Sequence, residues 1–193
     1  MKHRKRIKLK FKPNWKWIIT IFGSTIGISL TMSFLSNELL SGSNMAASMI
    51  VLLSIILIGI IFDIIGVSVT AAEEQPFHSM AARRVPEAMV AIRLLRMADR
   101  VSSFCNDVVG DICGVISGSA AAVIAAGAVS SEEEFMMVAA QLGMSALVAG
   151  LTVGGKALGK SVAMGNSIFI VHTAAKVIYW FKSVPKQILR RKR

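Results

Sequence analysis

The sequence predicts an all-α, polytopic membrane protein with four transmembrane helices plus cytoplasmic juxtamembrane helices, and three observations lead there. Hydrophobic residues make up 54% of the 193 positions and charged residues only 17%, with a mean hydropathy of +0.62, a balance typical of integral membrane proteins. Four predominantly apolar runs, 17–36, 47–70, 101–127 and 135–155, reach the roughly 20 residues a helix needs to cross a hydrocarbon core of about 30 Å. Basic residues occur in alternate connections only.

The elements follow in order from the N-terminus. Residues 1–16 form a basic tail with Lys2, Arg4, Lys5, Arg6, Lys8, Lys10, Lys12 and Lys16. A basic stretch before an apolar run is also the pattern of a cleavable signal peptide. Here the run exceeds a usual signal core and Asn44 to Ser48 offers a poor cleavage site, so 17–36 is expected to remain as an anchor. Residues 37–46 carry no charge but Glu38, and the second span follows at 47–70.

Residues 76–100 read as a cytoplasmic helix interrupted around Pro86. Beyond that proline, Arg93, Arg96 and Arg100 share one face, and Val90, Ala91, Leu94, Leu95 and Ala98 cover the other. Glu73 and Glu74, just after the second span, read as solvated charges at a helix end. The third span precedes a connection whose only charges are Glu132, Glu133 and Glu134. Ser131 and Glu134 have capping-box spacing ahead of the fourth span, in which Gly143, Gly150 and Gly154 share a face. That span runs into Gly154-Gly155-Lys156-Ala157-Leu158-Gly159-Lys160, where the glycines are expected to end the helix or leave carbonyls free for an ion. The last apolar run, 167–181, is too short to cross comfortably and contains His172 and Lys176. It is expected to lie along the inner membrane surface as an amphipathic helix.

Topology follows from the basic residues, because Lys and Arg in short connections stay cytoplasmic. Four spans put the 22 Lys and Arg on one side: eight in 1–16, five in 76–100 and nine from Lys156 onward. A multi-pass protein of the cell membrane with both termini cytoplasmic is the expectation. The net charge of +11 is then accounted for by basic tails beside anionic headgroups. No nucleic acid is expected as a partner, since no nucleic-acid-binding fold carries the charge.

The candidate site lies inside the spans. Asp63, Asp107 and Asp111 sit at bilayer depth, where an ionised group needs a partner, a water-filled cavity or an ion. Ser103, Asn106, Asp107, Gly110, Asp111, Gly114 and Gly118 follow three- and four-residue steps, which makes one polar and small stripe on a helix. The three glycines form a small-xxx-small pattern that suits close helix approach. Asp63 and Asp107 are each about 10 Å from the cytoplasmic ends of their helices at a rise of about 1.5 Å per residue. Asp63, Ser103, Asn106, Asp107 and Asp111 therefore compose an oxygen-rich candidate metal site, suited to Mg²⁺ or Ca²⁺. Proton-coupled carboxylates, a structural ion pair and an acid-to-lysine pair are the competing readings. Cys105 and Cys113, eight residues apart in one helix, cannot bridge each other and read as small core residues. His78 and His172 read as isolated, and no enzyme is expected, since no nucleophile with a base, metal-binding histidine cluster or phosphate loop is visible.

From about Ala47 to Lys182 the chain resembles the transmembrane domain of the CNNM/CorC family of Mg²⁺ transporters. Met80 to Leu95, with Ala81, Ala88, Arg93 and Leu94, is similar to the family's helix after its first span. Gly155, Lys160, Ala163 and Asn166 match the register of its signature Gly-Glu-x-x-Pro-Lys-x-x-Ala-x-x-Asn, with Lys156 in place of Glu and Gly159 in place of Pro. The family's acidic residue in its first span has no in-register counterpart, and Asp63 stands as a substitute. The resemblance divides the chain into the tail 1–16, an extra transmembrane helix and outer loop at 17–46, the CNNM/CorC-like domain at 47–182 and a second basic tail at 183–193. The nucleotide-sensing domains common in the family are absent from this sequence. The resemblance implies a homodimer with a path for a divalent cation such as Mg²⁺ through Asp63, Asn106, Asp107 and Asp111. With Lys156 as an internal counter-ion, it implies instead a non-transporting membrane scaffold or regulatory subunit.

Overall fold

A computed structural model of the protein describes residues 15–40, 44–128 and 134–190. Ser131 of the expected Ser131–Glu134 capping box, most of the first basic tail, the end of the second and part of each acidic connection lie outside the described residues. Those described form helices joined by short turns, without a strand. The helices are α1 (Trp15–Leu40), α2 (Met45–Ala71), α3 (Gln75–Ala82), α4 (Ala88–Arg96), α5 (Ala98–Ser103), α6 (Asp111–Ala128), α7 (Glu134–Gly165) and α8 (Ser167–Arg190), with a π-helical stretch, Phe104–Gly110, joining α5 to α6. Four helical segments are long and apolar enough to cross a membrane: Trp15–Leu40, Met45–Ala71, Ala98–Ala128 and Phe135–Gly165. The protein is thus a multi-pass, all-α membrane protein, as the composition predicts.

Local chemistry sets the helix ends. Asn44 caps α2, its side-chain oxygen accepting the Ala47 N–H at 2.8 Å. Within the spans, hydroxyls donate back to carbonyls of their own helix, Ser68 to Ile64 at 2.7 Å and Thr152 to Val148 at 2.8 Å, so they are satisfied where water is absent. Helix α3 begins with Pro76 in its first turn and closes in a Schellman motif. The Arg84 N–H donates to Ala81 O at 2.9 Å and the Val85 N–H to Met80 O at 3.1 Å, with Arg84 left-handed at φ 61°. Pro86 follows and separates α3 from α4, the interruption the sequence predicts.

Helix α2 is the axis of the bundle and touches α1, α5, the π-helical stretch, α6, α7 and α8. Three apolar clusters stack along it. Leu52 and Ile56 meet Ala120, Ala121, Ile124 and Val148 at one end; Ile55 meets Val108, Ile112, Cys113 and Ile116 in the middle. At the end where the described basic residues gather, Val69 joins Phe77, Ala91, Ile92, Leu95, Val171 and Ala175. Arg93, Arg96 and Arg100 are exposed while Ala91 and Leu95 are buried, matching the two faces read from the sequence. Helix α8 packs on α2 and α4 and is not among the spans; it continues well past the apolar run at 167–181. Helix α1 is peripheral, with none of its most apolar stretch buried. Its Trp17 ring lies 5.3 Å from the Arg100 guanidinium, a cation–π contact that levels the starts of the first and third spans.

Two features differ from the sequence reading. The glycine-rich segment after Gly154 does not end the helix, since α7 continues for 32 residues to Gly165. Gly155 and Gly159 seat against α2: a Cβ on Gly159 would stand 2.6 Å from Ile64 Cγ1, and one on Gly155 would collide with Ile60. This close packing outweighs the roughly 1 kcal/mol by which each glycine disfavours a helix. The polar stripe of the third span is also split, since neighbouring residues stand about 100° apart around a helix. Asn106 and Gly110 turn inward, whereas Asp107 and Asp111 remain exposed. Gly114 and Gly118 have open space around them, so their small-residue face is unpartnered within the described chain.

The tightest contact yields a prediction. A Cβ on Gly66 would collide with Asn106 Oδ1 and lie 3.1 Å from Cys105 Cβ. Gly66→Ala is expected to lower stability by about 1–3 kcal/mol. Gly23→Ala, which meets open space, should be neutral or slightly stabilising. Thermal unfolding in detergent, followed by tryptophan fluorescence, checks the pair; equal midpoints would refute the packing account.

Candidate functional site

The site is built where α2, the third span and α7 meet. Gly59 and Gly66 let α2 lie close to the third span: a Cβ on Gly59 would stand 2.9 Å from Cys113 Cβ, and Gly66 faces Asn106. Asp63 lies one turn from each glycine, so its carboxylate is directed into the same seam. Gly155 and Gly159 bring α7 against the neighbouring side of α2. Lys156, next to the first of these glycines, is thereby carried into the same site.

Its ammonium is the centre of the arrangement. Lys156 Nζ stands 4.0 Å from Asp63 Oδ1 and 4.0 Å from Asp111 Oδ1. Both distances exceed a hydrogen bond, so the contacts are electrostatic and the ammonium bridges two helices. Gly110 supports this position, because a Cβ there would lie 3.2 Å from Lys156 Nζ. The two carboxylates differ in environment. The Asp63 side chain is 14% exposed and that of Asp111 73%, with Lys156 at 25%. Asp63 therefore depends on Lys156 for neutralisation, whereas Asp111 also faces outward.

The other candidates from the sequence are placed differently. Asp107 is exposed and makes no ion pair among the described residues. Asn106 donates from Nδ2 to Ser102 Oγ at 3.3 Å, while its buried Oδ1, lying against Gly66, accepts nothing. Ser103 is half-buried and makes no side-chain hydrogen bond among the described residues. Among those residues no three His, Cys, Asp or Glu side chains gather as a metal-holding group. Of the five expected Mg²⁺ ligands, Asp63 and Asp111 converge, and they do so on Lys156.

At the basic end, two contacts correct the reading of isolated histidines. His78 Nε2 lies 3.1 Å from Glu74 Oε2, which Arg96 Nε also approaches at 3.7 Å. His172 Nε2 of α8 lies 3.4 Å from Glu87 Oε1 of the α3–α4 turn. The first pair has i,i+4 spacing on a helix and was legible in sequence. The second joins residues far apart in the chain and depends on α8 folding over α4, for which no local signal exists.

Removal of the ammonium tests the assembly. Lys156→Met is expected to lower stability by about 2 kcal/mol, less than for a fully enclosed pair because Lys156 is partly open. Adding Asp63→Asn to Lys156→Met should recover most of the loss, and Asp111→Asn alone should cost under about 1 kcal/mol. Unfolding midpoints of these proteins and of Asp63→Asn alone, in one detergent, check this, and full additivity of Lys156→Met and Asp63→Asn would show that the two groups do not interact. No family model, curated protein or solved structure matches the chain.

Proposed function

We propose that this protein is a membrane-embedded relative of the CNNM/CorC transporters in which the Lys156 ammonium takes the position of a cation. On this reading it is a non-transporting scaffold or regulatory subunit. The observation that carries the proposal is the equal 4.0 Å separation of Lys156 Nζ from Asp63 and Asp111. A fixed ammonium between two carboxylates offsets one of their two charges at bilayer depth without an added ion, and it does so beside Asp63, the more enclosed of the two. The replacement of the signature Glu by Lys156 supports the same reading. In this proposal the protein lies in the cell membrane with both termini cytoplasmic, a topology supported by the basic residues of 1–16, 76–100 and 156–193. It is proposed to work as a homodimer. Exposed Asp107 and Asp111, together with the open faces of Gly114 and Gly118, make a surface ill suited to lipid and suited to close approach by a second helix.

A second reading, transport or binding of a divalent cation such as Mg²⁺, is favoured by charge. Asp63, Asp107 and Asp111 are three carboxylates at similar depth, and Lys156 compensates one charge. A cation entering beside exposed Asp107 and Asp111 would compensate the rest.

Liposomes loaded with a Mg²⁺ indicator separate the readings. Wild type is expected to carry no Mg²⁺ and to show no heat of Mg²⁺ binding. Lys156→Glu should acquire a Mg²⁺-dependent rise in unfolding temperature, because it exchanges the internal cation for another ligand. Wild-type flux that Asp107→Asn with Asp111→Asn abolishes would replace the scaffold reading with transport.

A further inference from the structure

An apolar slot of about 560 Å³ runs beneath α8, with Ile61 and Ile65 of α2, Phe104 of the third span and Phe169, Val177 and Ile178 of α8 among its walls. Its surface is almost wholly carbon. Ile61 and Ile65 are 10 and 6 residues before the end of α2 at Ala71, so the slot reaches about 10–15 Å down from that end at about 1.5 Å per residue. Val177 also borders an adjoining recess of about 570 Å³ lined by Glu87, Lys176, Tyr179, Trp180 and Ser183. The two recesses thus adjoin at Val177, and Glu87 and Lys176 place charge in the second compartment.

The charges in that compartment are unequally engaged. Glu87 is approached by His172 at 3.4 Å, whereas Lys176 is exposed and makes no ion pair among the described residues. Tyr179 and Trp180 are residue types that settle at the boundary between hydrocarbon and headgroups. We propose that the two recesses together bind one anionic glycerophospholipid of the leaflet at the basic end. An acyl chain fills the slot, and the phosphate meets the Lys176 ammonium. A peptide would bring backbone N–H and C=O groups into a slot that offers them no partners, whereas an acyl chain has none to satisfy. The proposal requires only that the protein spans a membrane, and is independent of the role of Lys156.

Photo-crosslinking tests it. The full chain is reconstituted into phosphatidylcholine vesicles containing either phosphatidylglycerol or phosphatidylcholine with a diazirine in the acyl chain, and labelled residues are mapped by mass spectrometry. Labelling by the phosphatidylglycerol probe is expected at Phe104, Ile65 and Ile178 well above that at Leu142 and Leu147, which are exposed on α7. Lys176→Gln should lower this slot labelling about fivefold, the factor one basic group is worth against anionic headgroups. The same change should leave labelling by the phosphatidylcholine probe unaltered. Thr173→Trp, placing a ring at the wall of the slot, should suppress slot labelling by both probes. Uniform labelling of slot and α7, or phosphatidylglycerol labelling indifferent to Lys176→Gln, would overturn the assignment.

Discussion

The carboxylate of Asp63, mostly enclosed within the bundle, must find a cation on another element, and this constraint organises the protein. A membrane helix satisfies its own backbone, so its choice of neighbour rests on side-chain packing and polar contacts. Here α2 contributes Asp63, the third span Asp111 and α7 Lys156, and the ammonium stands at equal distance from the two carboxylates. The relative positions of the three spans follow from that shared need. Sliding α7 by one turn would strand Asp63, which is mostly enclosed, without its cation.

Small residues make the arrangement sterically possible. Gly59 and Gly66 admit the third span on one side of α2, and Gly155 and Gly159 admit Ile60 and Ile64 on another. Packing and charge thus reinforce each other, since the glycines that draw α7 close also deliver the residue that neutralises Asp63. This explains why α7 passes through a Gly-Gly-Lys segment as an unbroken helix. The contacts made by Gly155 and Gly159 offset their poor intrinsic preference.

Fold class and span positions were legible because each apolar run is a local property of consecutive residues. The short helices around Pro86 were equally legible, as the proline and the arginine face are local too. The site was only partly so. Three aspartates at bilayer depth could be recognised singly, but which side of the third span meets α2 depends on tertiary packing, and that packing turns Asn106 toward Gly66 while Asp107 stays exposed. Lys156 could be named as a potential counter-ion from its place in a signature. Its distance from Asp63, which lies far earlier in the chain, depends on how their two helices pack. The His172 contact with Glu87 was hidden for the same reason.

The π-helical stretch Phe104–Gly110 has a consequence for how such a chain can change over time. Each helical residue turns the chain by about 100°, and a π turn holds one residue more than an α turn. Gain or loss of a single residue in this stretch therefore re-phases the two halves of the third span against each other. The half beginning at Asp111 could keep its face toward Lys156 while the half containing Asn106 presents a different side to α2. A single insertion or deletion, normally ruinous within a membrane helix, is here a means of altering the packing of one half while conserving the charge contact of the other.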